Sequence, residues 1–291
     1  MQKIIAIVGP TASGKSGLGI YLAQKLRGEV ISADSRQVYK GLDIGTGKVT
    51  KKEMQGVRHH LLDTTSPKRQ FSVDDFVKKA ERTITAIHRN GGTPIVVGGT
   101  GLYVDMLLGR MSYAEVPPNP ALRAKLELLS TDTLFARLQK LDPRRATTIE
   151  PHHKRRLIRA IEIATAIGKN PAPQTVQKYE VLWLGLNPAD LPTRISARLR
   201  ARLKQGMIAE AKRLHTKGLS YKRMDELGLE YRYLAKLLQK KITRDQFEQE
   251  LERAINQYAK RQWRWFKRNK DIAWIGSKTE ALRLAKAFLS R

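Results

Sequence analysis

The feature that most constrains this 291-residue chain lies at its start, where Ile4-Ile5-Ala6-Ile7-Val8 runs directly into Gly9-Pro10-Thr11-Ala12-Ser13-Gly14-Lys15-Ser16. A continuous apolar run of strand length, without alternation, suits a strand buried on both faces of a parallel sheet. The eight residues after it fit G-x-x-x-x-G-K-[ST] in the context the pattern needs, after such a strand and before a helix. The two glycines let the backbone turn so that successive N–H groups converge on phosphate oxygens, and the helix N-terminus adds a favourable dipole. Lys15 supplies a point charge, and the Ser16 hydroxyl is placed to hold a Mg²⁺ that bridges those oxygens. The loop specifies a di- or triphosphate but not a reaction. Kinases, nucleoside triphosphatases and enzymes whose leaving group is pyrophosphate all remain open.

The rest of the chain extends the α/β pattern. A helix is expected from Gly14 to Leu26, a second strand over 29–33, a helix over 73–90 and a third strand over 93–97. After Pro117-Pro118-Asn119-Pro120 the apolar positions recur at helical spacing (Leu122, Leu126, Leu129; Leu134, Leu138, Leu141; Leu157, Ile161, Ala164) and strand-like runs stop. A strand returns at 181–186, and helices resume from Pro192 to the end. The expected fold is therefore α/β, a parallel-sheet core formed by residues 1–112 and 180–291 with a small helical insertion at 113–179.

Charge and composition narrow the function classes. Lys and Arg number 55 against 27 Asp and Glu, a formal balance of +28 spread over every segment. Such a field attracts a polyanion, nucleic acid or an anionic surface. With no cysteine, a disulfide scaffold, a thiolate zinc site and a cysteine nucleophile are excluded together, and the chain suits a reducing cytosol. No run of about 18 apolar residues occurs and the first residues carry no cleavage pattern, so a cytoplasmic protein without membrane spans is expected. The pairs His59-His60 and His152-His153 lack the accompanying ligands of a metal site and read as polar loop residues.

Ligands of open α/β sheets bind beyond the carboxyl ends of the strands. Asp34, just past the second strand, should face the phosphate loop, where it can be a cap, a metal-binding carboxylate or a general base. The segment behind it, residues 35–48, is polar and punctuated by glycine, more suited to a binding surface than to a core. Gly98-Gly99-Thr100-Gly101 at the next strand end is either a tight strand–helix turn or the carrier of a functional hydroxyl.

Taken together, GPTASGKS at 9–16, ISADSRQVYKGLDIGTGK at 31–48, HHLLD at 59–63, FSVDDF at 71–76, VVGGTGLY at 96–103, RRLIRAIEI at 155–163 and YAKRQWRWF at 258–266 resemble the tRNA dimethylallyltransferase family over nearly the whole chain. The resemblance implies a core like that of P-loop kinases and transfer of a five-carbon allyl group from dimethylallyl diphosphate to an adenine N6 beside the tRNA anticodon. It implies Asp34 as the base, Thr100 near the bridging oxygen, and Thr11 to Ser16 with Mg²⁺ as the diphosphate cradle. Its tRNA contacts carry over to Asp34, Ser35, Arg36, Gln37 and Thr100, to Arg123, to Arg155, Arg156, Leu157, Ile158 and Arg159, and to Lys260, Arg261 and Gln262. On the helix near 155–159, Leu157 and Ile161 are expected to pack inward. Trp263 and Phe266 are expected in the core, with Lys260, Arg261, Arg264, Lys267 and Arg268 on the opposite side. The chain departs from the family at Gly228-Leu229-Glu230-Tyr231-Arg232, where a Gly-Tyr pair followed by a basic residue is usual, and at Gly47, where alanine is common.

Three other readings share parts of this pattern: a relative that prenylates free adenine nucleotides, a small-molecule kinase, and a nucleic-acid binder with a vestigial loop. A free nucleotide does not call for basic residues in four segments, which favours a folded RNA acceptor. A monomer is expected.

Overall fold

The computed structural model describes residues 1–112, 114–172 and 174–291; Tyr113, where the insertion is expected to begin, and Pro173 lie outside the described residues. The chain forms two compact units, Met1–Gly109 with Gln177–Arg291, and Arg110–Val176.

The first unit is built on six parallel strands: β1 Lys3–Val8, β2 Gly28–Ser32, β3 His59–His60, β4 Thr93–Gly98, β5 Glu180–Gly185 and β6 Ala273–Trp274. Their order is β3-β2-β4-β1-β5-β6. Val8 is in register with Gly98 on one side and Gly185 on the other. The turns after β1, β4 and β5 therefore leave the sheet at one level, and Asp34 follows β2 at the same end. Ile4, Ile5, Ala6 and Ile7 are fully buried, as an unbroken apolar run on a covered parallel strand requires. Each such Ile contributes about 1.5–3 kcal/mol by its burial.

The helix Val73–Arg89 buries Phe76, Val77, Ala80, Ile84 and Ile87, and a Ser72–Asp75 capping box starts it. The long helix Arg244–Phe266 starts at a Thr243–Gln246 capping box and buries Phe247, Leu251, Ile255, Ala259 and Phe266 along one stripe. A second core joins Val38, Tyr39 and Leu42 to helices of the C-terminal half. Two elements depart from the sequence expectation. β3 and β6 are strands of two residues at the sheet edges, the latter within a stretch expected to be helical. Pairs so short are made by backbone hydrogen bonds to a neighbour and leave no periodic hydropathy signal.

The second unit is helical: Pro120–Glu127, Thr131–Leu141, Pro143–Ala146 and Lys154–Ile167. Its core holds Leu126, Leu134, Leu138, Leu157, Ile158 and Ile161. Leu141, in phase with Leu134 and Leu138, is instead 39% exposed at the last helical turn.

Candidate active site

The phosphate loop sits between β1 and the helix Lys15–Lys25. Gly9 has φ +142, and a Cβ there would collide with the carbonyl oxygen of Leu186, just beyond β5. Gly14 caps the helix in the left-handed region with no side-chain cap, so the first helical N–H groups open toward the loop. Lys15 folds back over the loop, its Nζ donating to the Pro10 carbonyl and, at 3.4 Å, to Ser13 Oγ.

A cleft opens beside this loop. Thr11, Ala12, Lys15 and Ser16 line it, with Asp34 and Gln37 from the turn after β2, Gly98 and Gly99 from the end of β4, and Arg198, Tyr258 and Gln262 from later helices. Burial, reinforced by the Arg198 guanidinium and opposed by Asp34, pulls the Lys15 ammonium down to about 7. Arg198 is itself lowered by burial and by Arg202, and its Nη2 donates to the Gly47 carbonyl at 2.8 Å. Two half-buried basic side chains facing one cleft form a receptor for a multiply charged anion, which supplies the counter-charge they lack.

The carboxylate of Asp34 has a structural task as well as a place in the cleft. Its Oδ1 accepts from the backbone N–H groups of Arg36 (2.8 Å) and Gln37 (3.2 Å). Thr100 Oγ1 accepts from Ser35 N at 3.1 Å and so links the ends of β2 and β4. The Tyr258 hydroxyl hydrogen-bonds Thr100, and burial together with the Asp34 charge pushes it up to about 12. Asp34, Thr100 and Tyr258 thus meet at the carboxyl end of the sheet, and Asp34 and Tyr258 line the same cleft as the two basic side chains.

Other residues singled out in the sequence have different surroundings. Ser35 and Arg36 are half-buried beside Asp34. Lys260 and Arg261 are exposed, whereas Gln262 points inward, accepting from Thr11 N and donating to Gly99 O, both at 2.8 Å. Arg155 and Arg156 are exposed, but Leu157 and Ile158 belong to the core of the second unit because they fall on the inward stripe of their helix. Arg123 and Arg159 are both held by the buried Glu162, at 2.7 and 2.5 Å. Burial would raise the Glu162 carboxyl, and hydrogen bonds from Arg123, Asn119 N and Arg159 hold it below the usual range instead. Of the two expected core aromatics, Phe266 is buried and Trp263 is half-buried, packed edge-on against Trp274.

Sequence reasoning did not single out Arg198, Tyr258 or Glu210. Glu210 is 2% exposed and accepts from the N–H groups of Asp43 (3.0 Å), Ile44 (2.7 Å) and Gly45 (2.9 Å) and from the Tyr231 hydroxyl (2.7 Å). This shapes the glycine-punctuated loop against which Arg198 rests. Nothing local marks Arg198 among the five arginines of 194–213, and only packing separates it from them. His59 also lines the cleft, its Nδ1 against the Val57 carbonyl at 2.9 Å, and burial lowers its pKa. His60 pairs with Glu29 at 2.5 Å. Among the described residues no helix is long and apolar enough to cross a membrane, and no three His, Cys, Asp or Glu side chains gather to hold a metal ion.

The profile of a family described as IPP transferase matches residues 37–269. The chain is 40% identical to tRNA dimethylallyltransferase 1 of Geotalea uraniireducens, covering 98% of this chain and 96% of that one. It is also 40% identical to tRNA dimethylallyltransferase of Carboxydothermus hydrogenoformans, covering 97% and 94%. Among solved structures, the full-length tRNA isopentenylpyrophosphate transferase of Bacillus halodurans superposes with TM-score 0.74 at 35% identity, covering 100% of this chain and 96% of that one. A eukaryotic dimethylallyltransferase acting on tRNA superposes with TM-score 0.87 at 28% identity, covering 100% and 80%. A parallel sheet with a phosphate loop at its carboxyl end, matched by relatives along its full length, makes this chain a member of the IPP transferase family, with that family's P-loop NTPase-like fold.

Proposed function

We propose that the chain transfers a dimethylallyl group from dimethylallyl diphosphate to N6 of adenosine 37 in the anticodon loop of tRNAs, releasing diphosphate. The observation that carries this reading is the composition of one cleft: two cations suited to a diphosphate, Lys15 and Arg198, share it with the carboxylate Asp34. A phosphate loop alone would serve many reactions. A loop facing a carboxylate, in a chain of this family, serves displacement at carbon by a weakly basic amine.

In that step the N6 lone pair forms the new N–C bond while the allylic C–O bond breaks and its electron pair leaves with the diphosphate. The loop amides, Lys15 and Arg198 stabilise the charge that develops on the departing group. Asp34 accepts the N6 proton, and Thr100, next to it, hydrogen-bonds the bridging oxygen. The Ser16 hydroxyl at the end of the loop is a neutral oxygen donor of the kind Mg²⁺ takes alongside phosphate oxygens, and the lack of a protein carboxylate cage among the described residues fits an ion held largely by its substrate. When bound, Mg²⁺ would neutralise charge on the leaving diphosphate.

The target adenine of an anticodon loop can be unstacked at modest cost and presented to such a cleft. Lys260 and Arg261 in the first unit, and Arg155 and Arg156 in the second, are exposed cations available to RNA phosphates. Arg36, Arg123 and Arg159 are partly exposed and add to these faces. The test is to incubate the protein with labelled dimethylallyl diphosphate, Mg²⁺ and either tRNA or AMP, and to identify the product nucleoside. N6-(dimethylallyl)adenosine in tRNA is the expected product. Faster labelling of AMP would overturn the reading.

A further inference from the structure

The segment Lys260-Arg261-Gln262 reads in sequence as one RNA-contacting surface, but its third residue faces the other way. Gln262 is 6% exposed, and both ends of its amide are used inside the catalytic unit. Oε1 accepts from Thr11 N, in the phosphate loop, at 2.8 Å, and Nε2 donates to the Gly99 carbonyl, at the end of β4, at 2.8 Å.

The surroundings are shaped to this amide. A Cβ on Gly99 would collide with Gln262 Nε2 and would also approach the Gly9 carbonyl, so the glycine is the space into which this amide fits. Ala12, next to Thr11, holds φ +61, a conformation costly for a residue with a Cβ and kept only where neighbours impose it. Thr11 N finds its acceptor in Gln262, outside the loop. Without Gln262 that donor would be left unpaired in a half-buried place, a situation that costs about 1–3 kcal/mol and that a loop escapes by changing shape. The same helix carries Trp265, whose Nε1 donates to Asp105 Oδ2 at 2.8 Å and whose ring fills the space a Gly101 Cβ would need. The helix is thereby fastened to the residue after β4 and to the helix Gly101–Leu107 that follows it, and this holds Gln262 against the loop.

We infer that Gln262 is a positioning residue for the diphosphate, setting the phosphate loop through Thr11, and not a contact for RNA. This rests on the reading that the loop binds the diphosphate of the allylic substrate. It separates neighbours on one helix by chemistry: Lys260 and Arg261 face solvent and act on a polyanion, while Gln262 acts on a small anion through the loop it holds. The conformation it imposes keeps the remaining loop amides aimed at the phosphate oxygens, and misplacement by a fraction of an ångström weakens every one of those bonds together.

The test compares two affinities in the full chain, inorganic pyrophosphate with Mg²⁺ by calorimetry and a synthetic anticodon stem-loop RNA by filter binding. Gln262→Met keeps the volume and removes both hydrogen bonds. It is expected to weaken pyrophosphate at least fivefold and raise KM for dimethylallyl diphosphate similarly, with RNA affinity and KM for tRNA changed less than twofold. The pair Lys260→Ala and Arg261→Ala is expected to do the reverse. Should Gln262→Met lower the thermal midpoint so far that both affinities fall, Gln262→Asn decides, since it keeps a neutral amide of the same chemistry but is one methylene too short for its oxygen to reach Thr11 N. Selective loss of pyrophosphate affinity in that variant supports the inference. Loss of RNA affinity equal to or greater than the pyrophosphate loss, or no change in either, overturns it. If the unsubstituted chain binds neither ligand, the functional reading itself has failed, an outcome distinct from these.

Discussion

Arg198 and Lys15 stand far apart in the chain yet face one cleft, and the guanidinium adds to burial in pulling the Lys15 ammonium down to about 7. Both basic side chains are therefore in place before any anion arrives, and a bound diphosphate offsets the cost of desolvating their charges.

A pH dependence follows. With a free-protein value near 7, Lys15 is only partly charged at neutral pH, and a diphosphate, being anionic, raises its affinity for a proton. Binding should then take up a proton, and affinity should fall above pH 7 by up to about tenfold per pH unit until the pKa of the complex is reached. Calorimetry of pyrophosphate binding in buffers of different ionisation enthalpy measures the uptake. Proton release on binding would contradict the assignment.

Substituting Arg198→Ala removes one cation and one cause of the low Lys15 value. The expected result is a loss of about 1.5–3 kcal/mol in diphosphate affinity, roughly 10- to 150-fold in KM. The break in the pH profile should also move upward, because burial alone then depresses Lys15. An unmoved break would show that the two charges do not interact.

Asp34 serves two purposes that one substitution can separate. Asp34→Asn keeps an oxygen for the N–H groups of Arg36 and Gln37, so the turn survives, but it cannot take the N6 proton. Single-turnover prenyl transfer is expected to slow about 10²- to 10⁴-fold with pyrophosphate affinity nearly unchanged. Asp34→Ala should lose the turn as well and bind the diphosphate less well.

For RNA, log K against log salt should fall with a slope of about 0.7–0.9 per phosphate contact. Replacing both Lys260 and Arg261 by alanine should reduce that slope by roughly 1.5 if each meets a phosphate. A slope near zero in the unsubstituted chain would exclude broad phosphate contact.

Glu210 carries a stability prediction. Glu210→Ala strips the acceptor from three backbone N–H groups and from the Tyr231 hydroxyl in a buried place. Breaking a buried charged network of this kind is expected to cost about 3–5 kcal/mol, lowering the thermal midpoint by roughly ten degrees. Tyr231→Phe removes one of the four bonds and should lose about 1 kcal/mol.

What was legible in the chain and what was not divide along the range of the forces involved. The buried first strand, the phosphate loop, the carboxylate after the second strand and the helical periodicity near Leu134 and Leu157 are local patterns. The period of the backbone and the dihedral freedom of glycine write them into neighbouring residues. Edge strands as short as His59–His60 were not legible, because their pairing partner lies elsewhere in the chain. Nor was the choice of Arg198 among its neighbouring arginines, the burial of Glu210, or the inward turn of Gln262 beside two solvent-facing cations. Those depend on which side of a helix the rest of the fold covers. Burial turns a common surface residue into a desolvated charge or an obligatory hydrogen-bond partner only once distant segments have closed around it.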